Sequence, residues 1–120
     1  YYSHVSYYWL RVARDEKLGR VVELVRRWGK DLTLEGRIPA DWKRTHLRVT
    51  AEAGRWQFAA SPDGTTWHAV GGVQDGSILS DDASAEWGFA FTGAYVGMAC
   101  VDISGAALPA DFDWFRYRPN

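Results

Sequence analysis

THLRVTAEAGRWQFAAS, residues 45–61, decides the fold. Two alternating runs flank the tight turn EAGR. In the first, Leu47 and Val49 share one face while Arg48 and Thr50 share the other. In the second, Trp56 and Phe58 oppose Arg55 and Gln57. A period of two with one dry and one wet face marks an antiparallel strand pair lying on a core.

The pattern extends in both directions. SPDGTTW (61–67) makes a second hairpin turn, where Asp63-Gly64 supplies the positive φ that such turns need. Trp67 and Ala69 then alternate with His68 and Val70. Toward the amino terminus, Pro39 opens the loop PADWKR, and LTLEGRI (32–38) alternates briefly before it. YYWLRVARD (7–15) reads as a strand, with Tyr8, Leu10 and Val12 on one side and Tyr7, Trp9 and Arg11 on the other. RVVELVRRW (20–28) is the one segment where a helix competes, because Val21, Leu24, Val25 and Trp28 fit the helical spacing. Its β-branched valines and flanking tight turns favour a strand with Val22 and Leu24 on the core face.

Toward the carboxyl terminus, GGVQDGSILSDDASAEW (71–87) is irregular and polar. GFAFTGAYVGMACVDI (88–103) reads as one long or bent strand, with Gly93 and Gly97 as bulges or points of close approach. DFDWFRYR (111–118) reads as the closing strand. About eight strands joined by short turns, with no convincing helix, predict an all-β antiparallel sandwich or barrel.

Composition sets bounds on function. The 120 residues suit one domain. A net charge of -1 gives no electrostatic case for nucleic acid or an anionic membrane. No apolar run reaches the ~20 residues of a helical membrane span. The sole cysteine, Cys100, excludes an internal disulfide and a cysteine-based zinc site, and its neighbours Met98, Ala99 and Val101 predict a buried thiol. No signal peptide is visible, and the chain opens inside a strand-like pattern, as a piece of something longer would. The outstanding number is aromatic content, 15% of residues. Aromatic side chains suit strand cores, and they also stack on sugar faces.

Catalytic patterns are sparse. Asp15, Asp31, Asp63, Asp75, Asp81 and Asp82 sit where turns and strand ends place them. Pairs such as Asp111 and Asp113 do not by themselves make the opposed carboxyls of a glycosidase. His4, His46 and His68 lack metal-ligand spacing. Ser61, Ser77, Ser80 and Ser104 show no nucleophile elbow, and Gly71-Gly72 precedes no phosphate-binding pattern. Asp81, Asp82 and Asp102 offer hard oxygens to calcium, with a solvated loop as the simpler reading. No cofactor is called for.

The carboxyl-terminal third carries a resemblance. Phe91-Thr92-Gly93-Ala94-Tyr95-Val96-Gly97, Asp102-Ile103-Ser104-Gly105 and Pro109-Ala110-Asp111-Phe112-Asp113-Trp114-Phe115 resemble the closing signature of bacterial β-xylosidases of glycoside hydrolase family 43. SPDGTTW, SILSDD and YYSHVSYYWLRV extend the likeness over nearly the whole chain; Tyr95 and Trp114 depart mildly from the family pattern. The resemblance implies a concanavalin A-like, jelly-roll β-sandwich, incomplete at its amino terminus, that accompanies a five-bladed propeller bearing the catalytic carboxylates. It implies a non-catalytic accessory domain of a β-xylosidase or α-arabinofuranosidase type enzyme in xylan degradation. It also implies that Phe91 is a substrate-binding residue, aimed from a loop at the propeller's pocket, with the adjoining glycines letting the backbone leave sheet geometry. The partners implied are the propeller domain, a xylo-oligosaccharide at the shared pocket, and a further copy or chain at the open sheet edges. The compartment is left unknown, with the bacterial cytoplasm as the expectation where no signal peptide is visible. Two other classes stay open. One is an independent carbohydrate-binding module with Trp9, Trp28, Trp42 or Trp87 as the sugar platform. The other is a small complete hydrolase.

Overall fold

The computed structural model describes residues 1–88 and 93–119. β1 (Ser6–Asp15), β2 (Gly19–Trp28) and β3 (Asp31–Pro39) form one antiparallel sheet in that order. β4 (His46–Glu52) and β5 (Arg55–Ser61) pair in a second sheet, to which β6 (His68–Ala69) and β7 (Gln74–Asp75) add on β5. The chain is an all-β antiparallel sandwich.

Hairpin chemistry sets the registers. β4 and β5 are joined by Ala53 and Gly54 at φ 46° and 76°. Two successive positive φ values give the turn whose twist matches that of paired strands. Between β2 and β3 the turn uses Gly29 at φ 58°. A register shift at Leu24/Val25 inserts one extra residue of β3, Glu35, whose carboxylate meets Arg26 at 3.0 Å. Asp15 closes the β1–β2 hairpin by accepting the backbone N–H groups of Lys17 and Leu18.

The sheets face each other across Tyr8, Val22 and Leu24 on one side and Phe58 and Ala60 on the other, with Val70 and Leu79 filling from the connections. Tyr8 spans the gap: its ring lies 5.5 Å from Phe58, and its hydroxyl donates to the carbonyl of Asp75 at 2.8 Å. Burial raises the pKa of that phenol, with Arg26 opposing. Ser6 likewise donates to the Ile78 carbonyl at 2.6 Å, so its buried hydroxyl is satisfied. Full burial of Val22 or Leu24 is worth about 1.5–3 kcal/mol each.

The contest over residues 20–28 resolves as a strand. The whole run Val21–Val25 is buried because β2 is the central strand of its sheet and is covered on both faces. Covering both faces of a strand makes successive residues apolar, which is why a helical spacing also fitted.

Several expectations are corrected. The strands expected over 88–103 and 111–118 do not appear among residues 93–119, where Ile103 is 95% exposed and Met98, Phe112 and Trp114 are exposed too. A strand needs a ladder partner. What ties this segment to the sheets is a reciprocal backbone pair between Tyr95 and Tyr1, an Arg44–Asp113 ion pair and the contact of His46 with Trp114. Cys100 lies in the same segment and is exposed, not buried, for the same reason. Gly97 is neither a bulge nor a close approach, since nothing lies within 4 Å of where its Cβ would be. Leu47 and Val49, read as a dry face, are 42% and 37% exposed because β4 is an edge strand. Finally, the polar stretch after β7 contains a 3-10 turn, a four-residue helix α1 (Asp81–Ser84) and a second 3-10 turn. Ser80 caps α1 by accepting from Ala83 N at 3.2 Å, a cap signal present in the sequence Ser80-Asp81-Asp82.

Candidate functional site

Phe91, the single substrate-binding residue expected from sequence, lies outside the described residues, as do Phe89, Ala90 and Thr92. Its two flanks are described. On the amino-terminal side, Trp87 meets Trp28 edge-on at 6.2 Å and 85°. Its six-membered ring covers Gly29 so closely that a Cβ there would overlap it. On the carboxyl-terminal side, Tyr95 N donates to the Tyr1 carbonyl at 2.7 Å, and the Tyr1 amine donates back at 2.9 Å. Tyr1 in turn stacks on Tyr7 of β1 at 5.8 Å. Ser6 of β1 pairs with Trp28 of β2, and Gly29 N donates to Val5 O at 2.7 Å. Both flanks therefore stand on the same end of the first sheet.

Several carboxylates are engaged in structure. Glu23, 3% exposed, is clamped on both oxygens: Arg11 donates to Oε2 from Nε at 3.0 Å and from its terminal nitrogen at 2.8 Å, and Arg37 Nε donates to Oε1 at 2.8 Å. Arg37 also reaches Asp15 at 2.7 Å, so a chain of four charges runs across the outer face of the sheet. The sequence showed Arg11, Glu23 and Arg37 separately; their pairing depends on strand register, which alternation alone does not fix. Asp63 is held far below the usual carboxylate range by the backbone N–H groups of Thr66 and Thr65 and by the Ser61 hydroxyl. Asp15 is lowered by the N–H groups of Leu18 and Lys17, Asp75 by the hydroxyl and N–H of Ser77, and Asp102 by the same groups of Ser104. A general acid at neutral pH needs the opposite shift.

The remaining candidates disperse. Asp81 accepts the Tyr2 hydroxyl at 2.6 Å, while Asp102 accepts Ser104 N at 2.8 Å within its own turn. Among the described residues no group of three His, Cys, Asp or Glu side chains could hold a metal ion. His46 sits beside Trp114 and His68 beside Trp42, at 6.0 and 5.8 Å. Ser61 is buried and braces the Asp63 turn. Trp9, Trp28, Trp42 and Trp87 are all partly buried: Trp42 packs on the core, Trp28 and Trp87 pack on each other, and Trp9 lies under the Arg11 guanidinium at 5.0 Å. They form no shared flat platform.

Comparison with known proteins places this architecture. Residues 1–118 match the family described as the β-xylosidase C-terminal concanavalin A-like domain. The β-xylosidase of Bacillus subtilis (strain 168) is 38% identical over 98% of the chain, which covers 23% of that protein. A putative β-xylosidase of Escherichia coli (strain K12) is 43% identical over 68% of the chain, which covers 15% of it. The crystal structure of the GH43 protein BlXynB from Bacillus licheniformis superposes on 70% of the chain and 16% of its own length, with a TM-score of 0.65 and 27% identity. The chain thus spans less than a quarter of the relatives it matches. It belongs to the family of concanavalin A-like domains that form the carboxyl-terminal part of GH43 β-xylosidases.

Proposed function

We propose that the chain is the non-catalytic accessory sandwich of a xyloside-cleaving glycoside hydrolase. It packs on a propeller catalytic domain and supplies Phe91 as an aromatic wall of the substrate pocket. The observation that carries this reading is the family match over residues 1–118, combined with the small share of each relative that the chain covers. The fold supports it in two ways. The shifted carboxylates are all held ionised in turns, and the buried one is neutralised by two guanidinium groups, so the sandwich supplies scaffolding charges. The large apolar side chains from Tyr95 to Tyr117 stand in water, and so many exposed apolar residues in one segment suit a contact with another protein surface.

An exo-acting glycosidase needs a closed pocket that seats a terminal sugar and excludes water, and a neighbouring domain can supply one side of it. An aromatic there adds about 1 kcal/mol or more through burial and stacking. The test compares the 120-residue chain with the whole enzyme on an aryl xyloside. Turnover is expected only with the propeller present, and turnover by the chain alone refutes the accessory role.

A further inference from the structure

The polar face of the second sheet holds a cavity of about 370 Å³. Strand register explains it. Ala59 lies between Arg48 on β4 and Ala69 on β6, so two methyl groups in a row form a low floor. Trp67 makes one wall, with the Arg48 guanidinium 3.9 Å above its ring. Thr50 and Gln57, directly paired across β4 and β5, make the far end. The rim at Gly71 is pinned to the first sheet, because a Cβ at Gly36 would collide with the Gly71 backbone.

This face is wet by design of the alternation. Alternation assigns Phe58 and Ala60 of β5 to the core face, and Phe58 also borders the cavity from that side. Among the described residues the ion pairs engage Arg11, Arg26, Arg37 and Arg44, and Arg48 is in none of them. The side chains of Thr50 and Gln57 likewise make no hydrogen bond to another described residue. A guanidinium held over an indole face still has N–H groups that no ion pair uses, and these can meet a carboxylate as a fork. The hydroxyl and the amide offer both donors and acceptors to ring hydroxyls, and the alanine methyls with the indole edge suit a sugar's C–H surface. A cavity of this size falls in the range, about 300–1,000 Å³, that small-ligand sites occupy.

We propose that this cavity is a binding subsite for an acidic sugar ring, a uronosyl unit of an oligosaccharide, with its carboxylate on Arg48 and its hydroxyls on Thr50 and Gln57. The subsite goes beyond the accessory role and does not depend on Phe91. The test is calorimetric titration of the full chain with a xylo-oligosaccharide carrying one glucuronosyl branch, with the same oligosaccharide unbranched, and with acetate as a bare carboxylate. The branched sugar is expected to bind at least about tenfold more tightly than the unbranched one, with a preference that weakens as salt rises. Arg48→Gln is expected to abolish that preference, and Arg48→Lys to restore only a minor part of it. Gln57→Ala is expected to weaken the branched sugar, whose uronosyl hydroxyls it meets, and to leave the unbranched one unchanged. Equal affinity for the two sugars, a preference that survives Arg48→Gln, no binding at all, or competition by acetate at the concentration of the sugar each overturns the proposal.

Discussion

Gly29→Ala is the substitution whose cost the structure defines best. Gly29 sits at φ 58°, and its missing Cβ is the space that the Trp87 ring occupies. An alanine there costs about 1–2 kcal/mol for the left-handed backbone alone. It also drives Trp87 off its seat and forfeits the edge-on contact with Trp28, worth about 0.5–1.5 kcal/mol. The expected loss is therefore about 1.5–3.5 kcal/mol.

Gly54→Ala is the control. Gly54 has φ 76°, yet nothing lies within 4 Å of its would-be Cβ, so only the backbone part applies, about 1–2 kcal/mol. Urea unfolding followed by far-ultraviolet circular dichroism gives both losses. The near-ultraviolet spectrum reports whether the tryptophan pair has come apart. Gly29→Ala is expected to exceed Gly54→Ala by about 1 kcal/mol and to change the near-ultraviolet signal, which Gly54→Ala leaves alone. Equal losses with unchanged spectra mean that Trp87 does not rest on Gly29, and the description of the Phe91 flanks falls with it.

Further outcomes follow from other contacts. Glu23→Ala strips both arginines of their shared partner; because Arg11 and Arg37 are about one-third exposed and can turn to water, the loss on urea unfolding is about 2–3 kcal/mol, below the 3–5 of a fully enclosed pair. An undetectable loss would mean that the clamp contributes nothing. The carboxylates of Asp15, Asp63, Asp75 and Asp102 have pKa values below their unfolded ones. The unfolded chain therefore binds more protons in acid, so the stability they contribute is present above about pH 4 and is lost as pH falls. Asp63→Ala is expected to flatten the acid limb of a stability–pH profile, and a limb of unchanged slope contradicts the turn geometry. If a catalytic domain covers the 93–119 segment, as proposed, Cys100 is expected to react at once with a thiol reagent in the chain alone and slowly in the intact enzyme. Equal rates would show that segment to be uncovered in both.

Alternation made most of the sandwich legible. Residues 7–15, 32–38, 45–51 and 55–61 read as strands because each carries a period of two bounded by turn residues, and 20–28 because of its β-branched valines and flanking turns; the structure forms β1 to β5 there within a residue or two. Arg48, Thr50 and Gln57 could be assigned to a wet face for the same reason. What alternation does not encode is which strand lies beside which. The Glu23 clamp and the Arg48–Trp67 stack arise from register, so each residue was visible and neither grouping was. The pattern over 93–119 failed in the opposite sense. Tyr95, Val96, Val101 and Phe112 carry strand chemistry, but strand formation also requires a neighbouring edge to pair with. Phe91 came from a motif and not from periodicity, and its role waits on function.

The most direct test is Phe91→Ala in the intact enzyme, with steady-state kinetics on an aryl xyloside and on a xylo-oligosaccharide. Loss of an aromatic pocket wall worth about 1 kcal/mol predicts a fall in kcat/KM of about fivefold or more, seen as a raised KM or a lowered kcat, with unfolding unchanged. Wild-type values of both constants on both substrates would contradict the account.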